Sequence, residues 1–221
     1  MQLSLGFPEI YRYPLWVLNN YSVDKPTYLL VGWLMCDTRT KILNVAEDLI
    51  QKVGLNAMSY KHISDNIGIS KASIHHHFPK KEDLVNALLE RCSVAYGDNY
   101  RRIAEGAGSA PEKLKAIAEV FENGLQKQQL CFVGTISSDL NTLQVNSIRI
   151  LEGTIQGTVA IYSLLFEQGR KENSLSFAGT EKDAAYAFFS FLLGAQIAAR
   201  AYGGADSFRR ATETIISSWI R

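Results

Sequence analysis

Residues 59–84 read SYKHISDNIGISKASIHHHFPKKEDL, and the punctuation of this stretch decides how the chain folds. Ser59 is suited to cap a short helix that runs to Ile67, and Gly68 supplies a turn. Ser70 caps a second short helix, which must finish by Phe78 because Pro79 disfavours helical backbone before it. Ile63, Ile67, Ile69 and Ile74 form an apolar lock between the two helices, and Ser64 is small enough to let them approach. Lys71, Ala72, Ser73, His75 and His76 are left on or near the outer face. Two helices fixed at an angle, the second with a polar outer face, form the helix-turn-helix geometry that fits a DNA major groove. An ordinary helical hairpin has the same bare pattern, so its surroundings must discriminate.

Upstream, Ile42, Val45, Ala46, Leu49, Ile50 and Val53 recur at i, i+3, i+4 and i+7 with charges opposite, which predicts a helix ending at Gly54. Three helices, the last two short, therefore fill residues 38–78. Downstream, helical periodicity predicts segments from about Lys81 to Ala104, Pro111 to Lys127, Val133 to Leu140, Gln144 to Glu167, Thr180 to Ala201 and Ser207 to Trp219. The Gly-Ala-Gly-Ser-Ala-Pro break and Gly203-Gly204 punctuate them. With no convincing strand, the expected fold is all-α: a three-helix helix-turn-helix domain at 37–84 and a larger helical bundle at 85–221.

Residues 1–36 differ in kind. They hold seven aromatics and three of the five prolines but only four charges, and no period runs through them. Pro26 to Met35 lacks the basic flank and cleavage site of a signal peptide. Either an N-terminal extension precedes the first domain, or the natural start is Met35 and residues 1–34 are translated upstream sequence, the reading we favour.

At 221 residues and 47% hydrophobic composition the chain can bury a substantial core. Its formal net charge of +1 gives no global attraction to nucleic acid, so any DNA affinity must come from local placement. Cys36, Cys92 and Cys131 are odd in number and widely spaced, which fits a reducing cytoplasm better than a disulfide framework. The most apolar run, Ala184 to Ala199, is interrupted by Ser190 and Gln196 and reads as a bundle helix, so no membrane association is expected.

The run Gly68-Ile69-Ser70-Lys71-Ala72-Ser73-Ile74-His75-His76-His77-Phe78-Pro79-Lys80-Lys81-Glu82-Asp83-Leu84 closely resembles the signature of the TetR family of regulators. That resemblance extends over Thr38 to about Leu89. It implies a cytoplasmic homodimer that binds double-stranded operator DNA, more often a repressor than an activator, and that responds to a small-molecule inducer of unknown identity. By the same resemblance, Lys71, Ala72 and Ser73 lie where base edges are read, and Ser70 and His76 count with them among the DNA-binding residues. His75, His77 and Lys81 lie where phosphates are approached or the recognition helix is braced, and Tyr60 and Lys61 where the DNA backbone or an outlying base is reached. Where the family usually has Tyr, this chain has His75, a shorter and titratable group. Where a capping Ser, Thr or Asn is usual, Lys80 stands.

Consecutive helical residues point about 100° apart, so His75, His76 and His77 cannot converge on one ion, and neither a metal nor a cofactor is expected. No Walker A loop, GxSxG elbow, HExxH pair or carboxylate cluster occurs, which argues against an enzyme. An all-helical interaction module without DNA binding remains the other alternative. In the last two helices, Phe188, Leu192 and Ala195, then Phe208, Ile215, Ile216 and Trp219, make broad apolar faces. They read either as a four-helix dimer interface, which we favour, or as intramolecular core. Leu130-Cys131-Phe132-Val133-Gly134 and Leu165 to Arg170 resemble the NemR-type branch of the family, whose members can respond to electrophiles through cysteine. Cys131 is then either a sensor or a buried small hydrophobe, and no adjacent cation predicts a depressed thiol pKa.

Overall fold

A computed structural model describes residues 37–221, and the expectations for residues 1–36 lie outside it. The described residues form nine α-helices: α1 (Thr38–Val53), α2 (Tyr60–Ile67), α3 (Lys71–His77), α4 (Lys81–Glu105), α5 (Ala110–Gln126), α6 (Phe132–Ser138), α7 (Val145–Lys171), α8 (Glu181–Ala201) and α9 (Gly204–Ser217). A 3-10 turn, Leu140–Thr142, joins α6 to α7. The predicted helices are all present, with their ends moved. The α7 helix runs four residues past Glu167, and α9 begins at Gly204 rather than Ser207.

Each end has a local cause. The Asp37 carboxylate accepts from the Thr40 N–H at 3.0 Å and starts α1. Thr180 and Asp183 cap α8 reciprocally, with Thr180 Oγ1 accepting from Asp183 N at 3.1 Å and Asp183 Oδ2 accepting from Thr180 N at 3.1 Å. Lys80 has no acceptor to offer α4, and the cap loss foreseen from its sequence is offset from the other side. Its own N–H donates to Asp83 Oδ2 at 2.9 Å.

Helices α1 to α3 pack around Ile42, Ala46, Ile50, Met58, Ile63, Ile74 and Phe78, all at or below 2% exposure. Helix α4 carries this core onward, because Leu84, Val85 and Leu88 in its first two turns are buried. A domain division at residue 84 thus falls inside one continuous helix rather than at a linker. In the second half α4 lies against α7, and α7 against α8, around linked rings. Tyr100 meets Tyr162 at 5.2 Å between centroids, Tyr162 meets Phe188 at 5.9 Å, and Trp219 packs on Phe166 at 5.4 Å and Phe188 at 5.8 Å. The chain end is tied in by Ser176 N donating to Trp219 O at 2.7 Å, beside an isolated antiparallel bridge between Leu175 and Ile220.

By length and composition α8 is apolar enough to cross a membrane. It instead buries Ala185, Phe188, Phe189, Leu192 and Gln196 against its neighbours in the bundle. Phe188 and Leu192 are fully buried, and Phe208 and Ile216 on α9 are 1% exposed. These four residues fill the protomer's own core, so the dimer-interface reading is corrected to intramolecular packing for them. Trp219 packs its ring on Phe166 and Phe188 but is only half-buried, as are Ala195 and Ile215, and these three remain from the original set.

One acidic side chain fastens the two halves. Asp139, after α6, accepts from Leu55 N at 2.9 Å, Asn56 N at 3.3 Å and Asn56 Nδ2 at 2.7 Å in the loop between α1 and α2. Asp139→Ala leaves two backbone donors without this acceptor and is expected to lower unfolding free energy by about 1–3 kcal/mol. Urea denaturation checks this, with Asp139→Asn expected to lose less because one acceptor oxygen remains.

Candidate nucleic-acid interface

Helix α3 is held at a fixed angle by contacts that begin in the turn. Gly68 has φ +76°, a left-handed backbone that side-chain-bearing residues seldom adopt, and its N–H reaches Ser64 O at 2.9 Å. Ser64 Oγ donates to Ile69 O at 2.6 Å, so the small residue anticipated between the helices also ties down the turn. Ser70 Oγ accepts from Ser73 N at 3.1 Å and starts α3. Ile74 is fully buried beneath α3.

Lys71 and Ala72 stand exposed on the outer face of the first turn of α3, with Ser73 half-buried beside them. His75 and His76 are exposed and His77 is half-buried. The His76 and His77 rings meet edge to face at 5.4 Å, and His75 Nδ1 lies 3.3 Å from Pro79 O. Among the described residues no group of three or more His, Cys, Asp or Glu is placed to hold a metal ion.

Three of the anticipated contact residues make bonds within the protein. Tyr60 Oη donates to Phe78 O at 2.9 Å, and its ring meets His75 edge to face at 4.8 Å, so it braces the far end of α3. Burial first, then the nearby Asp83 carboxylate, pushes its hydroxyl up to about 12. Lys61 is exposed but paired with Asp65 at 2.7 Å one turn on. Lys81 directs Nζ inward to Leu55 O at 2.7 Å and Met58 O at 2.9 Å, and partial burial lowers its pKa. Of the two roles its sequence position implied, the bonds made by Lys81 are those of a brace. Arg39, at the start of α1, was not singled out from sequence, since a lone Arg on a polar face looks solvated. Its guanidinium lies 5.1 Å from the centre of the Phe78 ring, placing a cation beside the end of α3.

The sensor candidate lies in the other half. Cys131 stands at the N-cap of α6 and lines a cavity of about 40 Å³ together with Gln51, Tyr96 and Gln196. Burial pushes this thiol up, against partial compensation from the Gly134 and Val133 N–H groups. That shift disfavours the reactive thiolate.

Comparison with known proteins agrees with this geometry. The profile of the family described as bacterial regulatory proteins, tetR family, matches residues 42–88, which span most of α1 through the first turns of α4. The chain is 27% identical over 173 residues to the HTH-type transcriptional repressor NemR of Escherichia coli K12, covering 74% of this chain and 84% of the repressor. A TetR family transcriptional regulator of Agrobacterium tumefaciens superposes with a TM-score of 0.79 at 26% identity, over 83% of this chain and 97% of the other. The reduced form of Escherichia coli NemR superposes with a TM-score of 0.72 at 24% identity, over 84% and 98%, a likeness of fold.

Proposed function

We infer that this chain, which belongs to the TetR family of transcriptional regulators, represses transcription as a cytoplasmic homodimer that leaves its operator when a small molecule binds the helical second half. The supporting observation is α3 itself, capped, turned and braced so that Lys71 and Ala72 project from a rigid first turn. Recognition helices commonly present their N-terminal residues to base edges. We assign base reading to Lys71, Ala72 and Ser73 and phosphate approach to His75, His76 and Arg39. Tyr60 and Lys81 hold the helix in place.

A two-fold dimer presents two such helices about one DNA turn apart, and an inverted-repeat operator follows from that symmetry. With Phe188 and Leu192 directed into the protomer, the outer stripe of α8 is left for the partner. It runs through Tyr186, Ala187, Ser190, Gly194, Ile197, Ala198 and Ala201, all exposed. Tyr186 is 58% and Ile197 54% exposed, a high value for apolar groups on one helix face, and the small residues between them allow close helix approach. Half-buried Ala195 and Ile215 remain available to its edges.

The test is a single substitution read in two ways. Ile197→Asp is expected to halve the mass in sedimentation equilibrium and to weaken binding to DNA flanking the chain's own gene by at least about a hundredfold, because one half-site then acts alone. An Ile197→Asp protein that stays dimeric contradicts the interface. A dimeric wild type that shifts no such DNA at modest salt contradicts the function. Release by an electrophile at Cys131 is a second reading, supported by the place of Cys131 in the cavity lining; burial, which pushes its thiol up, works against the reactive thiolate.

A further inference from the structure

We propose that the cavity beside Cys131 is the inducer site and that Gln51, on the DNA-binding side, is a positioning residue through which its occupancy reaches α1. This rests on the proposed function and specifies its regulation. The unusual feature is which element forms the cavity wall. Gln51 belongs to α1, yet it borders the cavity together with Tyr96 of α4, Val120 of α5, the segment 129–131 and Gln196 of α8. A ligand there touches the DNA-binding domain directly.

Hydrogen bonds make this wall a lever. Gln51 is 8% exposed, and its Nε2 donates to Tyr96 Oη at 3.1 Å while its backbone carbonyl accepts from Leu130 N at 3.0 Å. Next to it, Gln129 Nε2 donates to Asp48 Oδ1 of α1 at 2.8 Å. On the opposite side, Gln196 is 2% exposed, with Oε1 accepting from Cys131 N at 2.6 Å and Nε2 donating to Phe121 O at 2.9 Å. Segment 129–131 is thus bonded to α1 on one side and to α8 on the other. It leads into α6, whose far end returns to the DNA-binding domain through Asp139 and the Leu55–Asn56 loop. Phe132 and Ile136 are fully buried, so α6 acts as a packed strut joined to that domain at both ends.

The cavity holds about 40 Å³, room for roughly three waters at ~10–15 Å³ each, and it opens to solvent, so a guest that seats fully within it must displace its walls. Against α1 the 129–131 segment is held by two hydrogen bonds, Leu130 N to Gln51 O and Gln129 Nε2 to Asp48 Oδ1, and displacing it strains both. The lining offers amide and phenol donors, the cation of Lys127, aromatic and aliphatic surface, and no carboxylate. That set suits a small compound rich in acceptor oxygens, with Lys127 favouring a polarised or anionic group over a cation.

The test needs no ligand. Gly124 lies within α5, and a Cβ placed there falls 3.0 Å from Gln129 O and 3.4 Å from Gln196 Nε2. Gly124→Leu must therefore push segment 129–131 as a guest would. Its folded dimer is expected to bind operator DNA about tenfold more weakly than wild type, within the usual range of allosteric coupling. The pair Gln51→Leu with Gln129→Ala removes the side-chain bonds to Tyr96 and Asp48 and leaves only the Leu130 N–Gln51 O backbone bond; it is expected to bind within about threefold of wild type alone and to restore most of the affinity that Gly124→Leu loses. Val120→Phe is a milder filling should Gly124→Leu not fold. Wild-type affinity in the filled dimers overturns the proposal, as does a loss that the uncoupling pair does not rescue. Failure of the wild type to bind any operator tells instead against the regulator function.

Discussion

Arg91→Leu is expected to lower the free energy of unfolding by about 3–5 kcal/mol, a larger stability loss than that expected for Asp139→Ala. Arg91 on α4 donates through Nη2 to Glu47 Oε2 and through Nη1 to Asn44 Oδ1 at 2.8 Å, joining α4 to α1. The two side chains are 18% and 6% exposed, so neither recovers full hydration when the other is removed. The Tyr96 hydroxyl, 3.4 Å from Glu47 Oε1, is a poor substitute for a guanidinium. Cost arises mainly from stranding a carboxylate rather than from losing the pair's net attraction, which desolvation largely offsets. The double variant Glu47→Leu with Arg91→Leu is accordingly expected to recover most of the loss in urea denaturation. A double variant as unstable as Arg91→Leu would show that packing of the Arg91 stem, not the unpaired charge, sets the effect.

Ala72→Glu is expected to abolish operator binding while leaving the fold as stable as before. Position 72 is exposed in the first turn of α3, where an acidic side chain interacts favourably with the helix dipole, by about 0.3–1 kcal/mol. Against DNA the same carboxylate meets phosphate charge at close quarters, a repulsion of several kcal/mol, or at least about a hundredfold in affinity. Thermal melting and a binding titration separate the two effects. Unchanged or raised Tm with lost binding fits; equal binding by Ala72→Glu removes α3 from the DNA contact.

Much of the helix-turn-helix was legible because its signals are local. Gly68 is required by a left-handed backbone, Ser59 and Ser70 by unpaired N–H groups at helix starts, and Ile63 and Ile74 by a period of 3.6. None depends on distant residues. The role of Lys81 was less legible, since a lysine that approaches phosphate and one that binds the carbonyls of Leu55 and Met58 have the same local sequence. Apolar periodicity likewise reveals that a face is buried but not what buries it. Phe188 and Tyr186 are two residues apart on α8, and only the fold tells that the first enters the core and the second faces outward. The cavity wall was hidden for a similar reason: Gln51, Tyr96 and Gln129 come from separate elements, and amides within helical patterns read as surface.

The central claim is that a dimer places two copies of α3 in successive major grooves of one operator. A hydroxyl-radical and methylation-protection footprint of the wild-type dimer on DNA flanking its own gene tests this most directly. The expected pattern is guanine N7 protection in two major-groove patches related by an inverted repeat and about one helical turn, roughly 34–36 Å, apart. Uniform protection along the fragment, or protection confined to one patch with no symmetric counterpart, would contradict it.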